Sequence, residues 1–397
     1  MTKTVEKHVF IVGSKGIPAK YGGFETFVDE LVTRKSTKKI QYYVSCLSNK
    51  NEVTTYNEAI CFHVKVSQNI GSARSILYDI KSIQYVLDYI ENNKLENTVL
   101  YILACRIGPF MKFFKKRADK LKVSVCLNPD GHEWKRSKWS YPIKKYWKFS
   151  EKLMLKYNDL TICDSLGIES YIQNEYSKLN VNTCFIPYGA EVQEKSSLKT
   201  DNLLNEKISE WKSSREIFKE YYLIVGRFVS ENNYELIIRE FMKSKTKKDL
   251  VIITNVENNS LYKNLVSKLK FENDKRIKFV GTLYDSKILS AIRYDAFGYI
   301  HGHSVGGTNP SLLEAMATTD INLLYDVNFN KEVGKDACIY FNQNENNLSE
   351  IINELDSVDP NHAQRLGGKS KRIIKNSYNW SDIVRNYEKT FLELKNK

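Results

Sequence analysis

A pattern that occurs twice along the chain constrains the fold more than any other sequence feature. Short β-branched or aromatic runs alternate with amphipathic stretches from residue 9 to residue 186, and the same alternation restarts at residue 221. Alternation of this kind predicts a parallel sheet covered by helices on both faces. Because 397 residues are too many for one compact core, we expect two doubly wound, Rossmann-like α/β domains.

The predicted strands define the domain boundary. The first set comprises residues 9–13, 41–46, 60–66, 99–103, 123–127, 160–163 and 183–186, and the second comprises residues 221–225, 250–253, 277–280, 296–300 and 321–324. Pro187 and Gly189 interrupt the pattern, and a polar stretch follows to about residue 220. We therefore place an N-terminal domain at 1–187 and a C-terminal domain at 188–379. A last helix within 380–397 can pack back on either, and we assign it to the first.

Hydrophobic patterning indicates a cytoplasmic protein. No run of about 18 apolar residues could span a bilayer, and the N-terminus enters its first strand without an apolar signal segment. None of the seven cysteines is spaced as CxxC. We expect them to be small buried hydrophobic residues in a reducing compartment.

The positive charge is concentrated in one segment. The net charge is +13, and residues 105–160 hold 15 Lys and Arg against 5 Asp and Glu. Such a segment favours an anionic partner: nucleic acid, a phosphate-bearing ligand or a membrane surface.

Glycine-rich sequence follows the first predicted strand. The sequence GSKGIP occupies residues 13–18, and GGFE at 22–25 enters a predicted helix. Glycines let a backbone approach a ligand closely, and a helix start offers free N–H donors. The loop is neither GxGxxG nor a Walker loop, and a tight turn without a ligand is the alternative.

Two further strand ends carry residues suited to phosphate. Gly226 and Arg227 follow the strand at 221–225, and a strand-end arginine can hold phosphate bidentately, although a surface salt bridge would also explain it. After the strand at 296–300, Thr308 or Asn309 can cap a helix with Pro310 in its first turn, which makes an anion site. Glu314 would lie one turn further on, within reach of a sugar hydroxyl.

Histidines occur at two of these strand ends. His301 and His303 lack an Asp, Glu or Cys at ligand spacing, so we expect no metal there. The sequence NPDGHEW at 128–134 places Asp130, His132 and Glu133 after the strand at 123–127. They are acid–base candidates, with a turn capped by Asp130 as the alternative.

A basic, aromatic-rich helix is predicted from about residue 141. Lys144, Lys148, Lys152 and Lys156 recur every four residues and are expected to share one face, and Trp147 lies among them. Lysines interleaved with aromatic residues favour an anionic membrane surface. A solvated helical face is the alternative. Single-stranded nucleic acid would use similar residues, but no RNA-binding motif is present.

At these residues the chain resembles the GT-B glycosyltransferases of family 4. The likeness includes the GGFE loop, His132, the PYGAE hinge at 187–191, Gly226–Arg227 and the segment 310–317 with Glu314. More narrowly, residues 13–28, 101–110, 128–134 and 306–311 resemble bacterial capsule-assembly rhamnosyltransferases. That likeness implies a GT-B fold with two domains facing a central cleft, and transfer of L-rhamnose from dTDP-L-rhamnose to undecaprenyl-diphosphate-linked glucose, with retention of configuration.

Two positions depart from the family pattern. Gly306 stands where the family has the first of two glutamates, and Asn232–Asn233 stand where it has a lysine. The missing lysine implies that Arg227, helped by His303 or Lys15, carries more of the diphosphate charge.

Together, the residues and the resemblance give a set of expected sites. The catalytic residues expected are His132, Asp130 and Arg227. The donor-binding residues expected are Gly22, Gly23, Arg227, Asn255, Thr282, Tyr284, His303, Thr308, Asn309, Ser311 and Glu314. The acceptor-binding residues expected are Glu25, Arg106 and Trp134, and the membrane-facing residues are Lys144, Lys148, Lys152 and Trp147.

The expected ligands and partners follow from the same comparison. We expect no cofactor or metal, a dTDP-sugar as substrate, a lipid-diphosphate-linked sugar as acceptor, and no nucleic acid. The protein would lie on the inner face of the cell membrane. The alternatives are another nucleotide sugar, or a sugar-nucleotide epimerase of the same fold. A nucleic-acid binder would not explain the residues at the strand ends, and a dehydrogenase would need the GxGxxG that is absent here.

Overall fold

A computed structural model describes residues 5–20, 22–192 and 202–395. Residues 1–4, part of the polar stretch after residue 191, and Tyr21 of the glycine-rich segment lie outside these ranges. The chain divides into two compact units: Met1–Tyr188 with Trp380–Lys397, and Gly189–Asn379. The sequence predicts a boundary after residue 187, one residue from this division.

Unit 1 is built on an eight-stranded sheet. In spatial order its strands are β3 (Glu52–Tyr56), β4 (Ala59–Lys65), β2 (Ile40–Ser48), β1 (Lys7–Val12), β5 (Thr98–Leu103), β6 (Ser124–Asn128), β7 (Leu160–Cys163) and β8 (Thr183–Phe185). Its helices are α1 (Gly23–Thr33), α2 (Arg74–Asn92), α3 (Gly108–Lys120), α4 (Tyr141–Lys156) and α5 (Leu166–Glu175). Every strand pair is parallel except β3–β4, and β3 is an edge strand that the sequence does not predict.

Unit 2 is built on a six-stranded parallel sheet. In spatial order its strands are β11 (Ile277–Phe279), β10 (Asp249–Ile253), β9 (Tyr221–Val225), β12 (Gly298–His301), β13 (Asn322–Tyr325) and β14 (Ile339–Phe341). Its helices are α6 (Asn202–Ser213), α7 (Tyr234–Lys243), α8 (Ser260–Leu269), α9 (Ser286–Asp295), α10 (Pro310–Thr318), α11 (Asn328–Gly334), α12 (Asn347–Leu355) and α13 (Pro360–Ser377). The sequence predicts five of these strands and misses the three-residue β14.

The last helix, α14 (Trp380–Glu393), returns to unit 1. Tyr387 packs against Phe27, with ring centroids 5.0 Å apart, and its hydroxyl lies 3.3 Å from that of Tyr101. Glu388 accepts a hydrogen bond of 2.8 Å from the Ser36 amide. Apolar burial and these polar contacts therefore fix α14 to the N-terminal sheet.

Both sheets reverse their strand order beside the first strand of the unit. In unit 1 the chain proceeds from β1 to β2 on one side and returns to β5 on the other. In unit 2 it proceeds from β9 to β10 and returns to β12. Two loops leave in opposite directions at such a reversal and open a crevice at the carboxyl ends of the strands. The glycine-rich loop after β1 and the Gly226–Arg227 loop after β9 both begin there.

Cysteine burial agrees with the prediction, since six of the seven are buried and all seven are unpaired thiols. Among the described residues, no helix has the length and apolar character that crossing a bilayer requires.

Candidate functional site

Arg227 provides an exposed positive charge at the strand-order reversal of unit 2. It follows β9, and its backbone carbonyl accepts hydrogen bonds from the Val229 amide (3.0 Å) and the Asn232 side chain (2.8 Å). No residue that the structure describes forms a hydrogen bond or an ion pair with its guanidinium. The loop is thus fixed through the backbone, while the guanidinium is available to an anionic ligand.

Asn232 and Asn233 connect this loop to the neighbouring one after β12. The Oδ1 atom of Asn232 lies 2.6 Å from Nδ1 of His303, and Asn233 donates a 2.8 Å hydrogen bond to the carbonyl of Gly302. A side chain at Gly302 would place its Cβ 2.2 Å from the Asn232 carbonyl oxygen. The loops after β9 and β12 therefore pack tightly against each other, and only glycine fits at position 302.

Helix α10 begins at the same edge of the sheet. Asn309 caps it by accepting a 2.9 Å hydrogen bond from the Ser311 amide, and Pro310 lies in its first turn, as predicted. The Ser311 hydroxyl lies 2.8 Å from that of Tyr299 and donates to the carbonyl of Val225 at 3.3 Å. The start of α10 is thereby held against the end of β9, two residues from Arg227. Thr308, just before the cap, is buried.

Glu314 pairs with a residue that the sequence analysis missed. Arg293 of α9 donates to Glu314 at 2.6 Å and to the Ser311 hydroxyl at 3.2 Å. The Arg293 side chain is only 4% exposed, whereas that of Glu314 is 39% exposed. The buried Arg293 therefore orients Glu314 and Ser311, two residues of α10. Part of the Glu314 side chain stays accessible to a ligand.

The ring centroid of His301 lies 5.8 Å from that of His303, and His301 is buried. Burial lowers the pKa of His301 well below its ordinary value, and the nearby His303 lowers it further. Its Nε2 atom has no hydrogen-bond partner among the described residues, and those residues contain no His, Cys, Asp and Glu cluster suited to a metal. A neutral, buried imidazole suits a packing role beneath the loop at 302–309.

The other predicted donor residues follow neighbouring strands of this sheet. Asn255 comes after β10, and its side chain accepts a 2.8 Å hydrogen bond from the Glu257 amide. Thr282 and Tyr284 come after β11, and the Tyr284 ring is 64% exposed. All three therefore lie along the carboxyl edge of the sheet, one and two strands away from Arg227.

The glycine-rich loop of unit 1 closes on its own glutamate. Glu25 is buried and accepts a 2.7 Å hydrogen bond from the Lys15 amide. Gly22 has a φ of +126°, and a side chain there would place its Cβ 1.9 Å from the Glu25 carboxylate. Glu25 and Gly22 thus shape the loop that leads into Gly23 and α1. Contact between Glu25 and an acceptor stays a prediction.

Arg106 also serves this loop. Its guanidinium donates to the carbonyl of Gly13 at 2.8 Å and to the fully buried Asp79 carboxylate at 3.0 Å. Burial opposes its charge, but Asp79, Asp130 and Glu25 outweigh burial and raise the pKa of Arg106. The charge therefore stabilises the crevice wall, and its role in acceptor binding stays a prediction.

His132 is held neutral in an aromatic environment. Its ring centroid lies 4.3 Å from that of Tyr171 and 5.9 Å from that of Trp134. Burial, followed by the charges of Lys135 and Lys148, lowers the pKa of His132 to about 4. Asp130 and His132 both adopt positive φ, +59° and +32°. A neutral imidazole can orient a sugar hydroxyl, whereas so low a pKa makes it a weak base at neutral pH.

The membrane-facing stripe predicted on α4 is wrong at two of its residues. Trp147 is buried. Lys148 points toward α5: its ammonium contacts the Tyr171 hydroxyl, lies 3.0 Å from Glu175, and lies 4.6 Å from the Trp134 ring centre. Positions four apart on a helix rotate by about 40° per step, so Lys144 and Lys156, three steps apart, differ in direction by about 120°. Lys152 is exposed and Lys144 is half-buried.

Comparisons with known proteins agree with this architecture. Residues 6–191 match a family model described as a domain of unknown function, DUF1972. An uncharacterised glycosyltransferase of Methanocaldococcus jannaschii is 23% identical over 94% of this chain and 96% of its own length.

Solved structures are similar over nearly the whole chain. Sucrose-phosphate synthase from Thermosynechococcus elongatus matches with a TM-score of 0.76 at 15% identity, covering 97% of this chain and 98% of that one. The Anabaena protein HepE, solved in complex with UDP, matches with a TM-score of 0.66 at 12% identity, covering 98% and 100%. The chain therefore has the two Rossmann-like units of GT-B glycosyltransferases, which confirms the predicted fold.

Proposed function

We propose that this protein is a glycosyltransferase that takes its sugar from a nucleotide diphosphate donor. The observation that carries the proposal is the pairing, at one sheet edge, of the exposed Arg227 guanidinium with the start of α10. Two similar proteins support it: the relative from Methanocaldococcus jannaschii is described as a glycosyltransferase, and the Anabaena protein HepE was solved in complex with UDP.

In this proposal, unit 2 binds the donor. The leaving diphosphate gains negative charge as the glycosidic bond breaks, and Arg227 with the free N–H groups at the start of α10 stabilises that charge. Preorganised charge stabilisation of this kind is worth about 3–4 kcal/mol for a single donor group. Glu314 accepts hydrogen bonds from the ribose, while Asn255, Thr282 and Tyr284 border the base.

We further propose that the donor is dTDP-L-rhamnose and the acceptor undecaprenyl-diphosphate-linked glucose, with retention of configuration. In that reaction the bond from the anomeric carbon to the diphosphate oxygen breaks. A bond from the same carbon to the acceptor hydroxyl oxygen forms, and the leaving phosphate takes the hydroxyl proton. His132, neutral at pH 7, orients the acceptor hydroxyl. The likeness of residues 13–28 and 306–311 to rhamnosyltransferases supports this choice.

A panel of nucleotide sugars offered with a lipid-diphosphate glucose tests the proposal. We expect mass spectrometry to show a deoxyhexose added to the acceptor with dTDP-L-rhamnose, and no addition with UDP-glucose or GDP-mannose. Addition of a sugar from another donor would support transferase activity and contradict dTDP-L-rhamnose as the donor. Donor conversion without any acceptor would instead identify an epimerase.

A further inference from the structure

Helices α3 and α4 present their outer faces on the same side of unit 1. Met111 and Phe114 of α3 lie in the same apolar core as Met154 and Leu155 of α4. The helices approach closely, because the amide of Gly108 donates a 2.8 Å hydrogen bond to the Ser150 hydroxyl. Since both helices bury their inner faces against one layer of the sheet, their opposite faces point into the same region of solvent.

The outer face of α3 combines exposed rings with lysines. Phe113 is 69% exposed and Phe110 is 44% exposed. Lys112, Lys116 and Lys120 are exposed on the same arc of the helix. Around the helix, Phe113 lies between this row of lysines and Phe110. Exposed phenylalanines beside a basic row indicate an interaction surface.

The outer face of α4 has the same composition. Tyr141 is 70% exposed and Phe149 is 55% exposed. With Lys145, Lys152 and Lys156 they occupy positions spaced by four, four, three and four residues, which form one helical stripe. Lys145 lies 4.5 Å from the Tyr141 ring centre. This stripe differs from the one predicted, which included the buried Trp147 and Lys148, whose ammonium pairs with Glu175.

We call these residues the α3–α4 surface, and its charge is strongly positive. Its members are Phe110, Lys112, Phe113, Lys116, Lys120, Tyr141, Lys145, Phe149, Lys152 and Lys156. None of the six lysines forms an ion pair with any residue in the described ranges. The acidic residues of the two helices are engaged elsewhere: Asp119 contacts Lys115, and Glu151 accepts hydrogen bonds from the hydroxyls of Tyr171 and Tyr176. The surface therefore suits an anionic partner that also accepts aromatic rings.

We propose that the α3–α4 surface docks this protein on a bilayer that contains anionic lipid. Lysines are attracted to the negative surface potential of such a bilayer, and phenylalanine and tyrosine rings insert at the level of the head groups. The proposal extends the proposed function by naming the surface through which the protein reaches a lipid-linked acceptor. The docking itself needs no transferase activity.

Sedimentation with vesicles tests this surface. We expect the full chain to bind vesicles of phosphatidylcholine with 30% phosphatidylglycerol at least about tenfold more tightly than pure phosphatidylcholine, with binding weakened by salt. The double variant Phe113→Ser/Phe149→Ser and the triple variant Lys112→Glu/Lys116→Glu/Lys145→Glu should each lose at least about tenfold in partition coefficient. All five residues are exposed, so circular dichroism should show unchanged folding.

Matched variants elsewhere serve as controls. Phe218 and Leu203 are 76% and 63% exposed in unit 2, and Phe218→Ser/Leu203→Ser should bind vesicles like the wild type. The charge control is Lys219→Glu/Lys263→Glu/Lys375→Glu. Equal binding to both kinds of vesicle, or wild-type binding by the serine double variant, would overturn the proposal. If only the lysine triple variant loses vesicle binding, the rings do not insert into the bilayer. The docking proposal is then overturned in favour of a soluble polyanion, such as nucleic acid, as the partner of this surface.

A water-soluble, short-chain diphosphate acceptor separates this inference from the proposed function. The surface variants should transfer sugar to it at the wild-type rate, because they lie outside the predicted donor and acceptor residues. If wild-type protein binds anionic vesicles but transfers no sugar, docking stands and the transferase fails. If the wild-type protein transfers sugar but does not bind anionic vesicles, the transferase proposal is supported and the docking proposal is overturned.

Discussion

Asn232 determines which nitrogen of His303 carries a proton. The Nδ2 group of Asn232 donates to the Arg227 carbonyl at 2.8 Å, so its Oδ1 atom, 2.6 Å from His303 Nδ1, is the acceptor. The hydrogen of the neutral His303 ring is therefore on Nδ1, and Nε2 carries the lone pair. A Cβ added to Gly306 would lie 3.1 Å from Nε2, so glycine at 306 leaves this nitrogen room.

This relationship predicts a tautomer change in Asn232→Ala. We expect two-dimensional ¹H–¹⁵N correlation spectra above pH 8 to show the Nδ1–H form of His303 in the wild type and a tautomer mixture in the variant. The exposed His362 is an internal control whose signals should not change. A predominantly Nε2–H form in the wild type would contradict the hydrogen-bond assignment.

Removal of the Arg227 charge should impair the proposed reaction. We expect Arg227→Ala to lower turnover at least about tenfold, which corresponds to about 1.4 kcal/mol of transition-state stabilisation. Arg227→Lys should recover part of this loss, because lysine keeps the charge but not the bidentate geometry. Initial rates with saturating acceptor measure it. Arg365→Ala, an exposed arginine of α13, is the matched control, and equal rates in both alanine variants would exclude Arg227 from the site.

The strands that could be predicted from the sequence are those in which a run of apolar residues indicates that the strand is buried. β1, β5 and β9 are apolar runs followed by Gly13, Ala104 and Gly226, and such runs report burial on both faces. β3 was missed because its sequence, EVTTY, is largely exposed and becomes a strand only by pairing with β4, as in Glu52 with His63. Its formation depends on a tertiary contact that no local pattern encodes.

The candidate site shows the same limit. Asn309 and Pro310 could be predicted because a helix cap is a local motif. Arg293 could not, because its partner Glu314 is 21 residues away and the pairing depends on how α9 packs against α10. The direction of Lys148 was wrong for a similar reason, since its ring contacts come from Tyr171 and Tyr176 on later elements.

The Arg293–Glu314 pair predicts a stability effect. Glu314→Gln leaves a buried guanidinium without its carboxylate, and a buried group that loses its partner costs about 1–3 kcal/mol. We expect a lower thermal midpoint for unit 2. Glu345→Gln, which breaks the more exposed pair with Lys243, should change that midpoint far less. Calorimetry on both variants provides the comparison, and equal midpoints would mean that the Arg293 charge is satisfied in another way.

The pKa of His132 gives a prediction that needs no substrate. Burial and two lysines lower it to about 4, whereas an unfolded histidine titrates near 6.5. Between these values the unfolded chain binds more protons, so the contribution of His132 to stability is constant above about pH 6.5 and falls as the pH decreases toward 4. The Cε1–H resonance of His132, assigned with His132→Gln, should titrate with a midpoint near 4. Lys148→Met should raise that midpoint only part of the way, because burial remains, and Lys144→Met should leave it unchanged. A wild-type midpoint near 6.5 would show that the ring is open to water.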